Sequence, residues 1–426
     1  MMTLFDELTW RQLVQDYTPD LPRHLTEHHP LTVYAGFDPT APSLHVGNLL
    51  PLLTLVRFQR AGHRPIALAG GGTGLIGDPS GKTAERPLLD ADTIAANVQA
   101  IERLLSRFLD FSGANAACLV NNLEWLGHLP LLTFLRETGK HFSINMMLGK
   151  ESVRRRLETG ISYTEFSYML LQARDYLELY DRYDCTLQIG GSDQWGNITA
   201  GIELIRRLRG SSVHGLTMPL ITKADGTKFG KTEQGAVWLT DDRTSPYEFY
   251  QFWFNTEDAS VINYLKAFTF LSAAEIADLE AAVATAPEKR EAQRSLAAAV
   301  TEFVHGAAGL RTALAATNIL FGGDPITDID ADTLLAVFHD APSTEVPAAL
   351  FADDGALPSD LAVAARLVSS KSEARRLIEG GGLYFNNQRV ESVHARITRE
   401  RLIGGQYGVL RKGARTYHLL RVVGTP

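Results

Sequence analysis

The chain has 426 residues, enough for two or three domains, and its 45% hydrophobic and 21% charged residues exclude a disordered or fibrous protein. A formal net charge of −8 argues against a surface that is basic throughout, as a general nucleic-acid coat would need. That average conceals a division: Pro358 to Pro426 holds 12 Lys+Arg and 5 Asp+Glu, so only this last segment is built for a polyanion. No run approaches 18 apolar residues and the N-terminal stretch has no apolar signal core, so a cytoplasmic protein is expected. Cys118 and Cys185 have neither metal-ligand spacing nor a disulfide framework, and their apolar surroundings predict buried free thiols.

In chain order, Leu4 to Tyr17 reads as an acidic amphipathic helix and Leu31 to Ala35 as a buried strand. A loop broken by Gly36, Pro39 and Pro42 follows. Leu49, Leu52, Leu53 and Val56 then mark one apolar helical face, with Pro51 expected in the first turn and Ala61-Gly62 as the stop. Pro65 to Ala69 predicts a second strand running into Gly70 to Asp78. Asp92 to Phe108 predicts a helix, Cys118 to Asn121 a third strand, and Leu129 to Glu137 and the base-rich Lys140 to Leu157 two more helices. A helix over Phe166 to Leu179 precedes a strand at Cys185 to Ile189, the loop Gly190 to Asn197 and a helix to Leu208. Strands alternating with helices imply an α/β, Rossmann-like parallel sheet, with ligands beyond the C-terminal strand ends. Asp38, Asp78 and Asp193 each follow such a strand on a glycine-bearing loop, which points to one shared site.

From Leu216 the pattern changes. Leu220 to Thr232 is an Asp-Gly turn and a Lys-x-Gly-Lys loop, and Ser245 to Leu320 is helical, with capping boxes at Ser245/Glu248 and Ser272/Glu275. Gly322 to Ser359 has no Lys or Arg and eight acids, which reads as an acidic linker or strap. Another capping box (Ser370/Glu373), a basic helix, a glycine stop and short strands predict a small α+β domain at the end. The expected domains are therefore 1–240, 241–321, a linker 322–359, and 360–426.

Two motif matches fail on context. Gly72 to Gly77 fits the dinucleotide fingerprint, but Asp78-Pro79 stands where a helix must run, and no strand-end acid follows about 20 residues on. Gly77 to Thr83 is one residue short of a P-loop, although Lys82 and Arg86 remain candidates for phosphate. His45-Val-Gly-Asn48 has a better context. It stands where a strand passes through a loop into a helix, so free N–H groups and the positive dipole end face an anion.

His45 to Asn48, Gly190-Gly-Ser-Asp193 and Lys228-Phe-Gly-Lys-Thr232, in that order on an α/β scaffold, resemble the class I aminoacyl-tRNA synthetases, most closely their bacterial tyrosine-specific branch. The first matches the HIGH signature and the last the KMSKS loop. Gly36 to Thr40, Gly74 to Pro79, Gln188 to Asn197 and Leu220 to Lys231 carry the likeness further, from about Tyr34 to the C-terminus. Asn48 departs from the second histidine of HIGH, and Phe229 and Thr232 depart from KMSKS while keeping its lysine spacing.

The resemblance implies a tyrosine–tRNA ligase that activates tyrosine with ATP, releases pyrophosphate and passes tyrosine to the 3′ end of its tRNA. Tryptophan specificity and a non-catalytic RNA-binding relative are the alternatives. Thr40, His45, Asn48, Lys228, Lys231 and Thr232 are the implied catalytic set. Tyr34, Asp78, Tyr168, Gln172, Asp175 and Gln194 are the implied tyrosine contacts. Gly36, Asp38, Gly191, Asp193, Lys82 and Arg86 are implied for ATP. Tyr168, Gln172 and Asp175 also share a helical face by their spacing. Lys150 and Arg154 to Arg156 are candidates for the tRNA acceptor stem, and Arg375, Arg376, Arg389, Arg411 and Lys412 for an S-four-like RNA-binding domain. Mg2+ is expected only on the ATP phosphates, with no protein-held metal and no prosthetic group. A homodimer is also implied.

Overall fold

The computed structural model describes residues 2–81, 88–157, 160–221, 229–232, 235–322, 325–326, 329, 331–338, 341–352, 354–413 and 416–424. Two compact units divide the chain, one made of residues 1–244 and 252–300, the other of residues 245–251 and 301–426.

In the first unit, α1 (Leu4–Trp10), β1 (Asp16–Tyr17) and α2 (Leu21–Glu27) precede β2 (Thr32–Phe37), α3 (Val46–Arg60) and β3 (Arg64–Ala69). Then come α4 (Ala91–Leu105), β4 (Cys118–Asn121), α5 (Tyr163–Tyr183), β5 (Cys185–Gly191), α6 (Trp195–Arg209) and β6 (His214–Met218). The sheet order is β1-β6-β5-β2-β3-β4, parallel except for β1. The chain runs outward from β2 to β4 on one side and from β5 to β6 on the other. The topological switch therefore lies between β2 and β5, where open α/β sheets bind ligands. β2 is buried at every residue but Gly36, as a central strand covered on both faces must be.

Several expectations shift at their edges. The first helix ends at Trp10, because Gln12 takes a left-handed conformation and Asp16–Tyr17 pairs with β6. Pro51 is the sixth residue of α3, not in its first turn, so the Gly47 carbonyl lacks the usual i+4 donor. The helix expected over Leu129 to Glu137 is a short turn at Leu131–Thr133 that widens over Phe134–Thr138. The one expected over Lys140 to Leu157 is three pieces, broken where Ser143 caps Ile144–Leu148 and where Gly149 ends it. Cys185 is buried and Cys118 half-buried, both free.

Beyond β6, β7 (Lys231–Thr232) and β8 (Gly235–Ala236) form a small hairpin. α7 (Pro246–Phe254), α8 (Asp258–Phe268), α9 (Ala273–Thr285) and α10 (Glu291–Thr317) follow, α10 being interrupted at Gly306. The capping boxes at Ser245 and Ser272 both form. The helical stretch expected as one domain is thus divided between the two units.

In the second unit, β9 (Ser343–Pro347), α11 (Pro358–Ala364), α12 (Lys371–Glu379), β10 (Leu383–Phe385), β11 (Gln388–Arg389), β12 (Tyr407–Lys412) and β13 (Thr416–Val423) form a sheet of order β11-β10-β12-β13-β9 under two helices. β9 lies inside the segment read as a linker. It pairs parallel to β13 and buries Val346 in the core with Leu383, Phe385, Leu410 and Leu420. An edge strand inverts the linker reading because pairing with β13, not composition, orders it.

Candidate active site

β2 and β5 place Tyr34 and Gln188 side by side in register at the switch point. Both are almost fully buried, and the Tyr34 hydroxyl and the Gln188 side-chain oxygen have no hydrogen-bond partner among the described atoms. Burial first, and then the Asp175 carboxyl, push the Tyr34 phenol well above its ordinary pKa. Unpaired buried polar atoms are costly, about 1–3 kcal/mol each, and a polar ligand relieves that cost.

Asp175 lies on α5, buried, where Asn122 Nδ2 donates to one carboxylate oxygen at 2.9 Å and Trp125 Nε1 to the other at 2.7 Å. Burial raises its pKa to about 8; the two donors pull it down and Asp38 pushes it up. One turn and two turns earlier on the same face stand Gln172 and Tyr168. The Tyr168 hydroxyl donates to Asp38 at 2.8 Å, and Thr73 Oγ1 donates to the other oxygen of Asp38 at 2.8 Å. Asn122 Nδ2 also reaches Thr73 at 3.0 Å, so Tyr168, Asp38, Thr73, Asn122 and Asp175 form one continuous network.

A second cluster surrounds Asp78. The carboxylate accepts from Ser80 N at 2.9 Å and from Gln194 Nε2 at 2.7 Å. Asn197 Nδ2 donates to Gln172 at 3.0 Å and to Gln194 Oε1 at 3.2 Å. All six residues expected around tyrosine therefore fall into these two clusters or beside Asp175. Asp38, expected on the ATP side, spends both its oxygens on the same network.

The residues expected to meet an anion stand at the start of α3. His45 is its N-cap, with Gly47 N donating to His45 Nδ1 at 3.0 Å, so in the neutral ring the proton sits on Nε2. Asn48 reaches back, accepting from His45 N at 3.1 Å, which completes a capping box. The irregular asparagine thus has a local task that orients the helix start. Gly47 is needed here, since a Cβ would lie 2.7 Å from the His45 ring. Val46 N donates to Val237 O at 2.9 Å and Val237 N to Gly230 O at 3.1 Å, which ties the Lys-x-Gly-Lys loop to this helix start. Thr40 and Gly36 are exposed at the end of β2. Asp193 sits close to Gly191 and Gly81, where added Cβ atoms would meet its oxygens at 2.7 and 3.0 Å. Lys82, Arg86 and Lys228 lie outside the described residues, and Lys231 and Thr232 are described only by their backbone, in β7.

The candidate tRNA contacts divide. Arg154, Arg375, Arg376 and Arg389 are exposed. Arg156 is a correction: it is 2% exposed, paired with Glu165 at 2.7 Å, because the broken helix turns it inward. Lys150 is half-buried and donates to Thr199 at 2.8 Å, with burial lowering its pKa. Arg411 donates to Asn387 at 2.9 Å and lies 3.7 Å over the Tyr384 ring, and Lys412 pairs with Glu373 at 3.3 Å. Both are partly engaged within the unit.

The sequence reading missed Thr73, Asn122, Trp125 and Gln188. Asn122 carried a signal, because it stands directly after β4, at the strand end where such sheets place their ligands. Gln188 lay in the quoted Gln188 to Asn197 phrase but on the strand, not in its loop.

Residues 26–322 match the family model for tRNA synthetases class I (W and Y). The chain belongs to that family. Residues 334–420 match the tyrosine–tRNA ligase SYY-like C-terminal domain. The tyrosine–tRNA ligase of Roseiflexus castenholzii is 58% identical, with 99% of this chain and 100% of that protein covered. That of Geobacillus stearothermophilus is 53% identical over the same shares. Among solved structures, a C-terminally truncated mitochondrial tyrosyl-tRNA synthetase from Aspergillus nidulans superposes with a TM-score of 0.67 at 32% identity, covering 74% of this chain and 92% of that one.

Proposed function

We propose that this chain is a tyrosine–tRNA ligase, joining the carboxylate of L-tyrosine to the α-phosphate of ATP and then passing tyrosine to the 3′ end of tRNA(Tyr). One observation carries the choice of tyrosine. A buried carboxyl, Asp175, is held by two donors and faces electrostatically a buried tyrosine hydroxyl, Tyr34, that has no hydrogen-bond partner among the described residues. A substrate phenol supplies what Tyr34 lacks and adds a partner for Asp175; phenylalanine leaves the Tyr34 hydroxyl unmet. A tryptophan indole N–H can donate to such a carboxyl, as Trp125 does, but it cannot accept from the Tyr34 hydroxyl, whereas a phenol oxygen both donates and accepts.

The substrate carboxylate is itself the nucleophile: its oxygen bonds to the α-phosphorus as the bond to pyrophosphate breaks. The protein's task is then positioning and charge stabilisation. Asp78, Tyr168, Gln172 and Gln194 face the tyrosine ammonium side. Gly36, Asp38, Gly191 and Asp193 line the nucleotide. Thr40, His45 and Asn48, at the start of α3, receive negative charge building on the α-phosphate. Lys228, Lys231 and Thr232 hold the pyrophosphate, assisted by Lys82 and Arg86. Mg2+ enters on the ATP phosphates. Arg154, Arg375, Arg376 and Arg389 are the basic residues best exposed for tRNA, with Arg411, Lys412 and Lys150 held closer to the fold. The catalytic role is assigned to 1–240 and the anticodon-side role to the helical residues 241–321, which the two compact units share, and the RNA-binding domain starts ahead of β9.

Leu131, Leu132, Ile144 and Tyr163 are 69%, 73%, 59% and 75% exposed, and a homodimer in which a second copy covers such residues is part of the proposal. No helix of the described residues is long and apolar enough to cross a membrane, and the likeness to bacterial ligases supports a cytoplasmic enzyme. ATP–pyrophosphate exchange dependent on L-tyrosine tests the assignment; exchange driven by tryptophan, or none, contradicts it.

A further inference from the structure

Phe229, the second residue of the Lys-x-Gly-Lys loop, is enclosed by aromatic rings. Its centroid lies 5.4 Å from Phe252, 5.4 Å from Trp253 and 5.0 Å from Tyr264, and it stacks on Phe268 at 5.3 Å. Trp253 and Phe268 are almost wholly buried, so the socket, built from the end of α7 and from α8 within residues 252–300 of the first unit, is a fixed part of that unit. Gly230 comes next, at φ 82, so close to α3 that a Cβ would stand 2.5 Å from Val46 Cγ2. The loop is thus seated on the helix start at one residue and plugged into a socket at the neighbouring one.

The socket is in turn bound to α3. Arg57, near the C-terminal end of that helix and 3% exposed, donates through Nη2 to the carbonyls of Ala267 and Thr269, each at 2.9 Å. Arg11, 4% exposed, donates to the carbonyls of Lys266, Thr269 and Leu271 at 3.0, 3.1 and 2.9 Å. Two guanidiniums therefore meet carbonyls of the last turn of α8, its C-cap Thr269 and Leu271 just beyond, at the negative end of its dipole. The contacts close a ring: the start of α3, Gly230, Phe229, Phe268 on α8, Arg57, and back to α3. The chemistry assigned above uses neither Phe229 nor Arg57.

We propose that Phe229 and Arg57 are positioning residues, which through the aromatic socket hold Phe229 and Gly230 against the start of α3 and so set ATP capture and the activation rate, without a part in tyrosine binding. The proposal rests on the reading of this loop as the holder of the ATP phosphates. A displacement of the loop by about 1 Å is enough for an effect on the order of 10²-fold.

The test uses the full-length protein and reads tyrosine affinity by equilibrium dialysis beside kcat and KM for ATP in tyrosine-dependent pyrophosphate exchange. Phe229→Ala is expected to lower kcat/KM for ATP at least ~10-fold while tyrosine affinity stays within about twofold, and Phe229→Met is expected to recover most of the loss by refilling the socket. Arg57→Met is expected to move ATP parameters in the same direction, and Arg57→Lys, which keeps the charge and a donor, less so. ATP parameters unchanged in Phe229→Ala, or equal loss of tyrosine affinity and ATP use in both Phe229→Ala and Arg57→Lys, would overturn the proposal. A wild-type protein without tyrosine-dependent exchange would instead overturn the functional reading.

Discussion

The two halves of the proposed site, one assigned to the amino acid and one to the phosphates, are built in opposite ways. The amino-acid half hangs on regular elements, β2, β5 and α5, and its polar atoms are buried and linked side chain to side chain from Tyr168 to Trp125. The phosphate half is a helix start and glycine-bearing loops, where backbone N–H groups and close backbone approach replace buried carboxyls. Discriminating a phenol from a hydrogen requires preformed, desolvated partners. Holding a highly charged, moving phosphate requires donors that meet charge as it develops.

Substitutions should separate the halves. His45→Ala is expected to have the largest effect, lowering the rate of adenylate formation by about 10²–10³-fold with tyrosine affinity nearly unchanged; rapid-quench activation and equilibrium dialysis measure the two. Asp175→Asn should do the reverse, weakening tyrosine by on the order of 10- to 100-fold, since one of its two donors loses its acceptor. A comparable loss of tyrosine affinity in His45→Ala would erase the distinction.

Asp175 also gives the amino-acid half a pH signature. Its folded pKa, about 8, lies above the ordinary carboxylate value of 3.8, so the folded state holds a proton that the unfolded chain gives up. The stability from this group is complete below about pH 4 and is lost as pH rises through about 8. The melting temperature of Asp175→Asn relative to wild type should therefore climb from about pH 4 to about pH 8 and level off above it, whatever its offset. A difference that is flat with pH would show that Asp175 is ionised in the folded protein throughout. The smallest effects belong to the second unit. Arg375, Arg376 and Arg389 changed singly to Ala should each weaken tRNA charging modestly and reduce the salt slope by about one, leaving pyrophosphate exchange intact.

The parts of this molecule legible in the sequence were those with strong local periodicity. β2, α3, β4, α5 and β5 each carry an apolar run or face that announces itself, and the site loops follow from them. The aspartates at strand ends converged as the parallel sheet requires. What escaped depended on partners distant in sequence. Asn122 and Trp125 gain meaning only beside Asp175, about fifty residues on. β9 is ordered by β13, not by its own acidic, proline-flanked segment. β6 reads His-Gly-Leu-Thr-Met, with no alternation because it is buried on both faces. Arg156, one of a basic run, was drawn inside by Glu165, nine residues on, and no charge count could show it.

The central claim is that buried polar groups at Tyr34 and Asp175 choose tyrosine. ATP–pyrophosphate exchange measured side by side with L-tyrosine, L-phenylalanine and L-tryptophan tests it most directly. Exchange with tyrosine alone is the predicted result; comparable exchange with phenylalanine or tryptophan would contradict it.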